Sequence, residues 1–513
     1  MTVDARTKVE RLRAGQRPRV LDLFSGCGGL FLGFHRAGCV SVGGVELDPL
    51  ASLSYAANFH AEAADSLFAH HAAPKDITVI QPTDLRASLG WESLSDAVDI
   101  IVGGPPCPAF ARVGRAKLRE IDRHPEAFKQ DPRAQLYLPY IHYVQALRPI
   151  AVVMENVPDI LNFGGHNLGE EICDLLEDLG YECAYTLLNA ANYGVPQMRE
   201  RFFLIGIHRD CGSTVHFPEP TRFVDFPRGY EGSRQVALKH LGKENGRQNG
   251  LAFRERYLPT PEAQNTEPPV TVEEALADLP ALTAHLNGGQ KRGARRFRDS
   301  IEYVSDSSSS VYAKSMRTWP GFEGDANLYD HVTRALSKRD YRLFRLMGPG
   351  DEYPEAHALA VRLFDDYAES TGLDPSSPDY AALRAGYVPP YDAGKFPNKW
   401  RKMEPDQPSR TLMAHLGKDG YSHIHYDSLQ ARVISVREAG RLQSIPDGFV
   451  FAGTMNPAFR QIGNSVPPLM SLALAEALLD SLGVSRSKGT AGGTGGLEDR
   501  RRLAQQPLSG GTG

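Results

Sequence analysis

One cysteine of the 513-residue chain stands in a setting typical of a presented nucleophile. Cys107 follows the apolar run Val98–Val102 and lies between Pro106 and Pro108. Prolines restrict the backbone, and the loop after a parallel strand is where α/β sheets bind their ligands. A lone cysteine is more often a small buried hydrophobe. Both interpretations stay open at this point, and the proline frame favours a thiolate nucleophile.

A carboxylate and two guanidinium groups accompany two later apolar runs. Glu155 closes the run Ile150–Met154, and Arg199 and Arg201 come directly before Phe202–Ile207. Their alternate spacing puts both arginines on one face of an extended segment. A single strand-end glutamate is usually a surface residue, and alternating arginines usually form a solvated face. If these runs are strands of one sheet, however, the thiol and the carboxylate approach the same crevice.

A glycine turn near the N-terminus indicates a cofactor site. The segment Asp22–Leu30 reads DLFSGCGGL and follows the predicted strand Arg19–Phe24. Glycine allows close approach of a ligand to the backbone, although any tight turn also needs glycine. Glu46, 20 residues beyond Gly26, ends the next predicted strand, where a carboxylate can bind ribose hydroxyls. The pattern is GxGG and not GxGxxG, which favours an adenosyl cofactor without phosphates over a dinucleotide.

These residues lie within a regular alternation of short β-rich runs and helical patterns. The predicted strands are Arg19–Phe24, Ser41–Val45, Ile77–Ile80, Val98–Val102, Ile150–Met154 and Phe202–Ile207, and predicted helices include Pro49–Phe59, Ala134–Leu147 and Leu168–Leu179. Such alternation predicts an α/β fold with a doubly wound, mostly parallel, Rossmann-like sheet.

The alternation stops after His208, which predicts a second, smaller domain. We expect a flexible arm at 1–17, a catalytic domain at 18–207, an inserted domain at 208–408, a segment at 409–483 that completes the catalytic domain, and a disordered tail at 484–513. Two basic clusters fall in the insert, Lys291–Arg298 and Arg334–Arg345. The second recurs at helical spacing and is either a solvated helix face or a surface for phosphates.

Composition limits the class of protein. The chain is 41% hydrophobic and 23% charged, with a net charge of −5, so a nucleic-acid partner requires basic residues gathered on one face. The six cysteines form no CxxC pair, which argues against a zinc site or a disulfide framework and favours a reducing cytoplasm. No run of 18 apolar residues and no signal peptide are present, so neither membrane insertion nor export is predicted.

Five segments in this order resemble the cytosine-5 DNA methyltransferase family. They are DLFSGCGGL at 22–30, GGPPCP at 103–108, ENV at 155–157, QMRER at 197–201 and QIGNSVPP at 461–468. The resemblance covers roughly 19–207 and 409–482, and it implies a class I methyltransferase fold. It also implies that 208–408 is a target-recognition domain, and that the last segment returns to complete the cofactor pocket.

The resemblance implies a role for each matching residue. Cys107 is the expected nucleophile, Glu155 binds N3 and the amino group of a flipped cytosine, Arg201 contacts the base carbonyl oxygen, and Arg199 supports the site. S-adenosylmethionine is the implied cofactor, with Asp84 at its adenine amino group. The cofactor positions are Phe24, Ser25, Gly26, Gly28, Gly29, Glu46, Asp84, Pro106, Leu136, Asn464 and Ser465. The segment 131–136 resembles the motif whose helix backs the pocket, and 409–411 resembles the motif that orients the recognition domain.

The resemblance also implies partners and leaves alternatives. Double-stranded DNA is the expected substrate of a monomer that needs no metal, in the cytoplasm at the nucleoid, with a restriction or defence component as a further partner. The family usually has Gln after the nucleophile and Phe-Ser two residues later, whereas this chain has Pro108, Phe110 and Ala111. The basic stretch 108–130 is the expected closing loop. An RNA cytosine-5 methyltransferase and a catalytically inactive DNA-binding relative are the two alternatives.

Overall fold

Two compact units make up the chain in this computed structural model. The structure describes residues 3–106, 136–162, 167–226, 230–239, 256–262, 267–288, 299–303, 309–418, 420–485 and 495–506. The first unit comprises 1–269, 449–452 and 465–513, and the second comprises 270–448 and 453–464. The five sequence segments therefore fall in the first unit, except for residues 461–464 of the last one.

The first unit contains a six-stranded sheet. Its strands are β1 (Arg19–Leu23), β2 (Val40–Val45), β3 (Ile100–Gly103), β4 (Ala151–Asn156), β5 (Tyr181–Asn189) and β7 (Glu200–His208), with the short β6 (Gln197–Met198) just before β7. The order is β2-β1-β3-β4-β7-β5. Strands β2, β1, β3 and β4 are parallel, and β7 runs antiparallel between β4 and β5. The predicted mostly parallel α/β sheet is thus confirmed.

Helices connect and cover these strands. They are α1 (Ala5–Arg13), α2 (Gly29–Arg36), α3 (Pro49–Phe59), α4 (Asp65–Ala72), α5 (Pro82–Leu89), α6 (Leu94–Ala97), α7 (Tyr137–Leu147), α8 (Leu168–Asp178), α9 (Tyr230–Leu238), α17 (Pro468–Ser481) and α18 (Leu497–Leu503). The apolar strands are buried on both faces, as expected for a parallel sheet covered by helices. Residues of β1, β3, β4 and α7 share one core.

The register of the sheet brings several strand ends level with one another. Leu23 lies opposite both Val45 and Gly103, and Gly103 lies opposite Met154. The residues that follow these four positions therefore emerge at one edge of the sheet. This edge carries the glycine turn, Glu46 and Glu155.

The predicted strand Ile77–Ile80 is wrong, because this segment is a turn. Asp76 accepts hydrogen bonds from the backbone N–H of Thr78 at 2.9 Å and from its hydroxyl at 2.6 Å. The β-branched residues indicated a strand, but the aspartate side chain offers the backbone a local partner that replaces the ladder.

The prediction of a flexible arm at 1–17 is wrong, because residues 5–13 form a helix that packs against the rest of the unit. Helix α1 begins after Asp4, whose side chain accepts from the backbone of Thr7. Lys8 is buried, and its Nζ donates to the carbonyl oxygens of Val98 at 2.6 Å and Arg148 at 2.9 Å. Its ammonium group replaces lost water with carbonyl acceptors, which is how a charged segment becomes part of the interior.

The tail also contains structure that its composition does not predict. Helix α18 packs Leu503 and Ala504 into a small apolar cluster with Leu53 and Ala56 of α3. The prediction of disorder over 484–513 is therefore wrong for 495–506, while 486–494 and 507–513 lie outside the described residues.

The second unit is mainly helical. Its elements are α10 (Val272–Leu276), β8 (Ser300–Glu302), α11 (Val311–Arg317), β9 (Asn327–Tyr329), α12 (Lys338–Leu346), α13 (Tyr353–Thr371), α14 (Pro378–Tyr387), β10 (Ser409–Arg410), α15 (Val436–Leu442) and α16 (Met455–Asn464). Strands β8 and β9 pair antiparallel. A buried ionic network surrounds α15, where Arg441 contacts Asp447 at 2.6 Å and Asp278 at 3.1 Å.

The boundary of the second unit differs from the predicted insert. It begins at Val270 and not at 208, because the preceding segment pairs with the edge of the sheet. The backbone N–H of Tyr185 donates to Arg256 at 3.0 Å, and that of Leu258 donates to Tyr185 at 2.9 Å. Arg256 also forms ion pairs with Glu170, Asp174 and Glu177 of α8.

One described stretch, Met455–Ser481, is apolar and helical enough to pass a simple test for a membrane span. Of its most apolar window 67% is buried, and the stretch is divided into α16 and α17. Both properties are typical of core helices.

Candidate active site

The glycine turn is a tight connection between β1 and α2. Phe24, Gly26 and Gly28 all have left-handed φ angles, of 57°, 54° and 97°. A Cβ at Gly28 would lie 2.3 Å from the ring of Phe59, so this position excludes any other residue. A Cβ at Gly26 would meet no atom within 4 Å. The turn therefore presents an open backbone surface at Gly26, of the kind that a ligand can approach.

Glu46 is held in place beside this turn. Its Oε2 accepts from the backbone of Gly26 at 2.8 Å, and its Oε1 accepts from that of Asp48 at 2.7 Å. Burial raises the pKa of Glu46, and the two backbone hydrogen bonds act against that rise. Each oxygen retains a lone pair, so the carboxylate can also accept from hydroxyl groups of a ligand.

Two buried polar atoms beside the turn indicate whether a cofactor fits here. The Oδ2 of Asp22 and the Oγ of Ser25 are buried without a hydrogen-bond partner, and Asp22 is only 1% exposed. Burial, and then the charge of Glu46, holds the pKa of Asp22 well above its usual value. Buried polar groups normally have partners. S-adenosylmethionine carries a positive charge and hydroxyl donors, so it fits a site that contains the acids Asp22 and Glu46 and the open turn at Gly26.

Other predicted cofactor residues take distinct positions. Asp84 is exposed on the first turn of α5, and its carboxylate accepts from the backbone of Gln81 at 2.8 Å. Pro106 is exposed beyond the end of β3, and Leu136 precedes α7. Leu47 was missed by the sequence analysis. It follows Glu46 and is 65% exposed, and an apolar residue directly after a strand-end carboxylate was the signal that the sequence offered.

The last sequence segment packs against the glycine turn only in part. A Cβ on Gly29 would lie 1.7 Å from the Oγ of Ser465, so the two residues are in close contact. Helix α17 continues this packing, because a Cβ on Gly33 would lie 2.4 Å from the backbone nitrogen of Leu472. Asn464 is the last residue of α16 and belongs to the second unit.

Cys107 lies outside the described residues, as do residues 108–130 and 131–135 of the two neighbouring predicted motifs. The chain just before Cys107 is described. The carbonyl of Pro105 accepts from Nδ2 of Asn156 at 3.0 Å, so β4 holds the start of this loop. Asn156 directly follows Glu155 and has a buried side chain.

Glu155 and Arg201 form an ion pair at the same edge. The Nε of Arg201 lies 2.9 Å from Oε1 of Glu155, and both side chains are largely buried. A Cβ on Gly104 would lie 2.9 Å from Oε2 of Glu155, so this glycine allows the carboxylate to lie over the loop that leads to Cys107. The geometry brings a carboxylate, a guanidinium group and that loop together.

Arg199 interacts electrostatically with both members of this pair. It is 2% exposed, and burial together with the neighbouring cation of Arg201 lowers its pKa well below the usual value. Glu155 and Tyr230 act in the opposite direction. Arg199 is therefore an interior cation beside the ion pair and does not belong to a solvated strand face.

A model of the C-5 cytosine-specific DNA methylase family matches residues 18–480. The chain belongs to this family. The match covers the strand-end edge, the glycine turn and the segment up to α17. Among the described residues of this methylase, no group of three or more His, Cys, Asp or Glu side chains is arranged to hold a metal ion.

Relatives of this methylase align over most of their length. The predicted type II methyltransferase M.OihORF3336P of Oceanobacillus iheyensis is 37% identical over 465 residues, covering 90% of this chain and 95% of that protein. Type II methyltransferase M.AgeI of Thalassovita gelatinovora is 30% identical, covering 90% of this chain and 99% of that protein. The crystal structure of a predicted DNA modification methyltransferase encoded within an E. coli prophage aligns with a TM-score of 0.58 at 21% identity, covering 91% and 99% of the two chains. That structure supports the class I methyltransferase fold.

Proposed function

We propose that this chain transfers a methyl group from S-adenosylmethionine to C5 of a cytosine that has been flipped out of double-stranded DNA. The observation that carries the proposal is the Glu155–Arg201 ion pair, which lies over Gly104 at the start of the Cys107 loop. Family membership supplies the class of reaction. The base must leave the stack, because its ring atoms are inaccessible within a duplex, at a cost of a few kcal/mol.

The site residues activate the ring. Cytosine C5 is a weak nucleophile, so the thiolate of Cys107 adds to C6 while Glu155, in its acid form, gives a proton to N3 and accepts a hydrogen bond from the amino group. Glu155 takes this proton back when the thiolate leaves. The electron pair of the C5–C6 bond then becomes available at C5. Arg201 orients Glu155 and binds the base carbonyl oxygen, where negative charge also develops. After C5 has been methylated, it loses its proton to a base, and the electron pair expels the thiolate from C6. The aromatic ring and the free enzyme are thereby restored.

The residues at the glycine turn would hold the cofactor. Glu46 accepts from its ribose hydroxyls, Gly26 provides open backbone, and Asp22 lies nearby as a buried acid. S-adenosylmethionine supplies an electrophilic methyl group on a positively charged sulfur when it is bound. Leu47 and Asp84 are proposed to contact the adenine, with the apolar side chain against the ring face and the carboxylate at the amino group.

Replacing Glu46 with alanine should weaken S-adenosylmethionine binding by about 1.5–3 kcal/mol, since a charge-assisted hydrogen bond is lost. DNA affinity should be unchanged. Hydroxyl donors favour the ionised carboxylate, whose pKa is raised in the free protein. Binding should therefore release protons, so cofactor affinity falls as the pH falls through that raised pKa.

Isothermal titration calorimetry in buffers of different ionisation enthalpy measures both quantities. The control is Glu92→Gln, which neutralises an exposed carboxylate of the same unit. Unchanged cofactor affinity in Glu46→Ala would show that Glu46 does not bind the ribose.

The second unit is proposed to read the DNA sequence. Helix α12 exposes Lys338, Arg342 and Arg345 at helical spacing, and the guanidinium of Arg342 lies 5.0 Å from the ring centre of Tyr387. Arg334 of the same cluster is engaged inside the unit, because its Nη2 donates to the carbonyl of Gly417 at 2.6 Å. Exposed cations such as these suit phosphates, which position a protein without specifying sequence. The other basic cluster, Lys291–Arg298, lies outside the described residues.

Exchanging residues 270–408 for those of a family member with another target should transfer the target preference. This range is common to the predicted insert and the second unit, and it spares the catalytic motifs on either side. Bisulfite sequencing of DNA from cells that express the wild type or the hybrid measures the marked sites. Replacing both Arg342 and Arg345 with alanine is the matched control, since it should weaken binding at every sequence and reduce the salt dependence.

The same experiment tests the activity itself. A hybrid that still marks the original site would place recognition elsewhere. If DNA from cells that express the wild-type protein contains no methylated cytosine, the proposed function is contradicted. Methylated cytosine in transfer RNA instead would support the RNA methyltransferase alternative. Because the named relatives are type II methyltransferases, a nuclease that cuts the unmethylated site is the proposed functional partner.

A further inference from the structure

We infer that helix α9 positions the arginines of the QMRER segment, so that Tyr230 and Arg234 are positioning residues for methyl transfer. This inference rests on the proposed function. It also assigns α9, which lies within the predicted insert 208–408, to the support of the catalytic edge and not to target recognition.

Two contacts from α9 hold the residues on either side of Arg199. The hydroxyl of Tyr230 donates to the carbonyl of Met198 at 2.5 Å. The Nη1 of Arg234 lies 3.3 Å from Oε1 of Glu200. Met198 and Glu200 are the chain neighbours of Arg199, so one helix fixes the backbone before it and the side chain after it.

Glu200 connects α9 to Arg201. Its side chain is buried, and its carbonyl accepts from Nη1 of Arg201 at 2.7 Å. A buried carboxylate that loses its cation is strongly destabilised or becomes neutral. The cations that act on Glu200 are Arg234 from α9 and Arg201 from its own strand. Removing Arg234 should therefore displace or protonate Glu200, and with it disturb the carbonyl that Arg201 binds.

Helix α9 also contacts the segment that follows Glu155. The Nδ2 of Asn162 donates to the carbonyl of Val236 at 3.1 Å. The start of the helix also packs into an apolar cluster. Tyr230 and Phe226 pack against the buried residues Ala191, Met198 and Val224. The helix therefore touches both chain segments that present the Glu155–Arg201 ion pair.

The position of α9 along the chain does not show whether it reads DNA or positions the arginines, but measurements of methyl transfer can distinguish these two roles. A helix that reads DNA changes which sequence is marked. A helix that positions Arg199 and Arg201 changes the rate of transfer at every sequence by the same factor, because it acts after the base has been selected.

The test compares four variants of the full chain with the wild type. Tyr230→Phe removes only a hydroxyl, Arg234→Gln removes the cation, and Arg234→Lys restores a charge. The control Gln235→Ala changes an exposed neighbour on the same helix. Single-turnover methyl transfer is measured on duplexes with the target site and with single-base changes in it. We expect rates about fivefold to tenfold lower for Tyr230→Phe and Arg234→Gln, as loss of one buried hydrogen bond implies. KM for DNA and the affinity for S-adenosylmethionine should be unchanged.

The pH profile separates positioning from general destabilisation. In Arg234→Gln the acidic limb of the rate should move to higher pH, because Glu200 loses a cation that favours its charged form. Arg234→Lys should restore the limb, and Gln235→Ala should match the wild type throughout.

Three results have clear meanings. Unchanged rates and pH profiles in Tyr230→Phe and Arg234→Gln would overturn the inference, even if their melting temperatures fall. A changed order of preference among the duplexes would also overturn it, because α9 would then read DNA. A wild type that methylates no cytosine in DNA would instead contradict the proposed function.

Discussion

Replacing Cys107 with serine should abolish methyl transfer and leave S-adenosylmethionine binding intact. A free thiol has a pKa of about 8.5 and is partly thiolate near neutral pH, whereas a hydroxyl is scarcely ionised there. The other thiol at this edge, Cys27 of the glycine turn, is buried, and burial raises its pKa to about 12, so it supplies far less thiolate. We expect a rate loss on the order of 10⁴-fold or more, as is found when a covalent nucleophile is removed.

Duplex DNA that carries 5-fluorocytosine at the target measures the covalent step directly. Fluorine replaces the proton that must leave C5, so the wild type should remain bonded to C6 and resist denaturation. Cys107→Ser should form no such complex, and Cys211→Ala, which alters a buried cysteine beyond β7, should trap like the wild type. Methyl transfer by Cys107→Ser near the wild-type rate would disprove the covalent mechanism. Trapping on RNA but not on DNA would favour the RNA alternative, and trapping on neither would favour an inactive relative.

Replacing Glu155 with glutamine should slow methyl transfer by about 10²- to 10⁴-fold, the range for a positioned acid–base group. The glutamine keeps the size of the side chain but loses the charge that pairs with Arg201 at 2.9 Å. It also leaves Arg199 and Arg201 side by side without their common anion. The loss should therefore appear in the single-turnover rate and in slower trapping of 5-fluorocytosine.

Glu182→Gln is the matched control. It removes a carboxylate from β5 at the end of the sheet away from Glu155, because Glu182 lies opposite Ile207 and Ile207 lies opposite Ala151. S-adenosylmethionine affinity should be unchanged in both variants, which separates this effect from that of Glu46. A rate for Glu155→Gln within a few fold of the wild type would exclude Glu155 from ring activation. In that case Arg201→Lys, which cannot reproduce the planar contact, should also have little effect.

Much of the site could be predicted from the sequence because its chemistry lies in short segments. The strand, glycine turn and helix around Gly26 are local structures, and the parallel β1, β3 and β4 bring their ends to one edge whatever the details of packing. Glu46 and Glu155 could therefore be placed at that edge from their positions after apolar runs. The order of the five segments predicted the family, and the match of the family model over 18–480 confirms this prediction.

Tertiary structure decided the features that depend on partners distant in the chain. Composition gives no sign that Lys8 is buried, because its acceptors are carbonyls of Val98 and Arg148. The sequence of helix α18 is typical of a polar tail, and only the fold brings its few apolar residues into contact with α3. The role of α9 follows from contacts between Tyr230 and Met198, 32 residues apart, and between Arg234 and Glu200. Local sequence determines which groups a strand presents, because spacing sets their direction, whereas long-range burial determines which of the remaining charged segments become part of the interior.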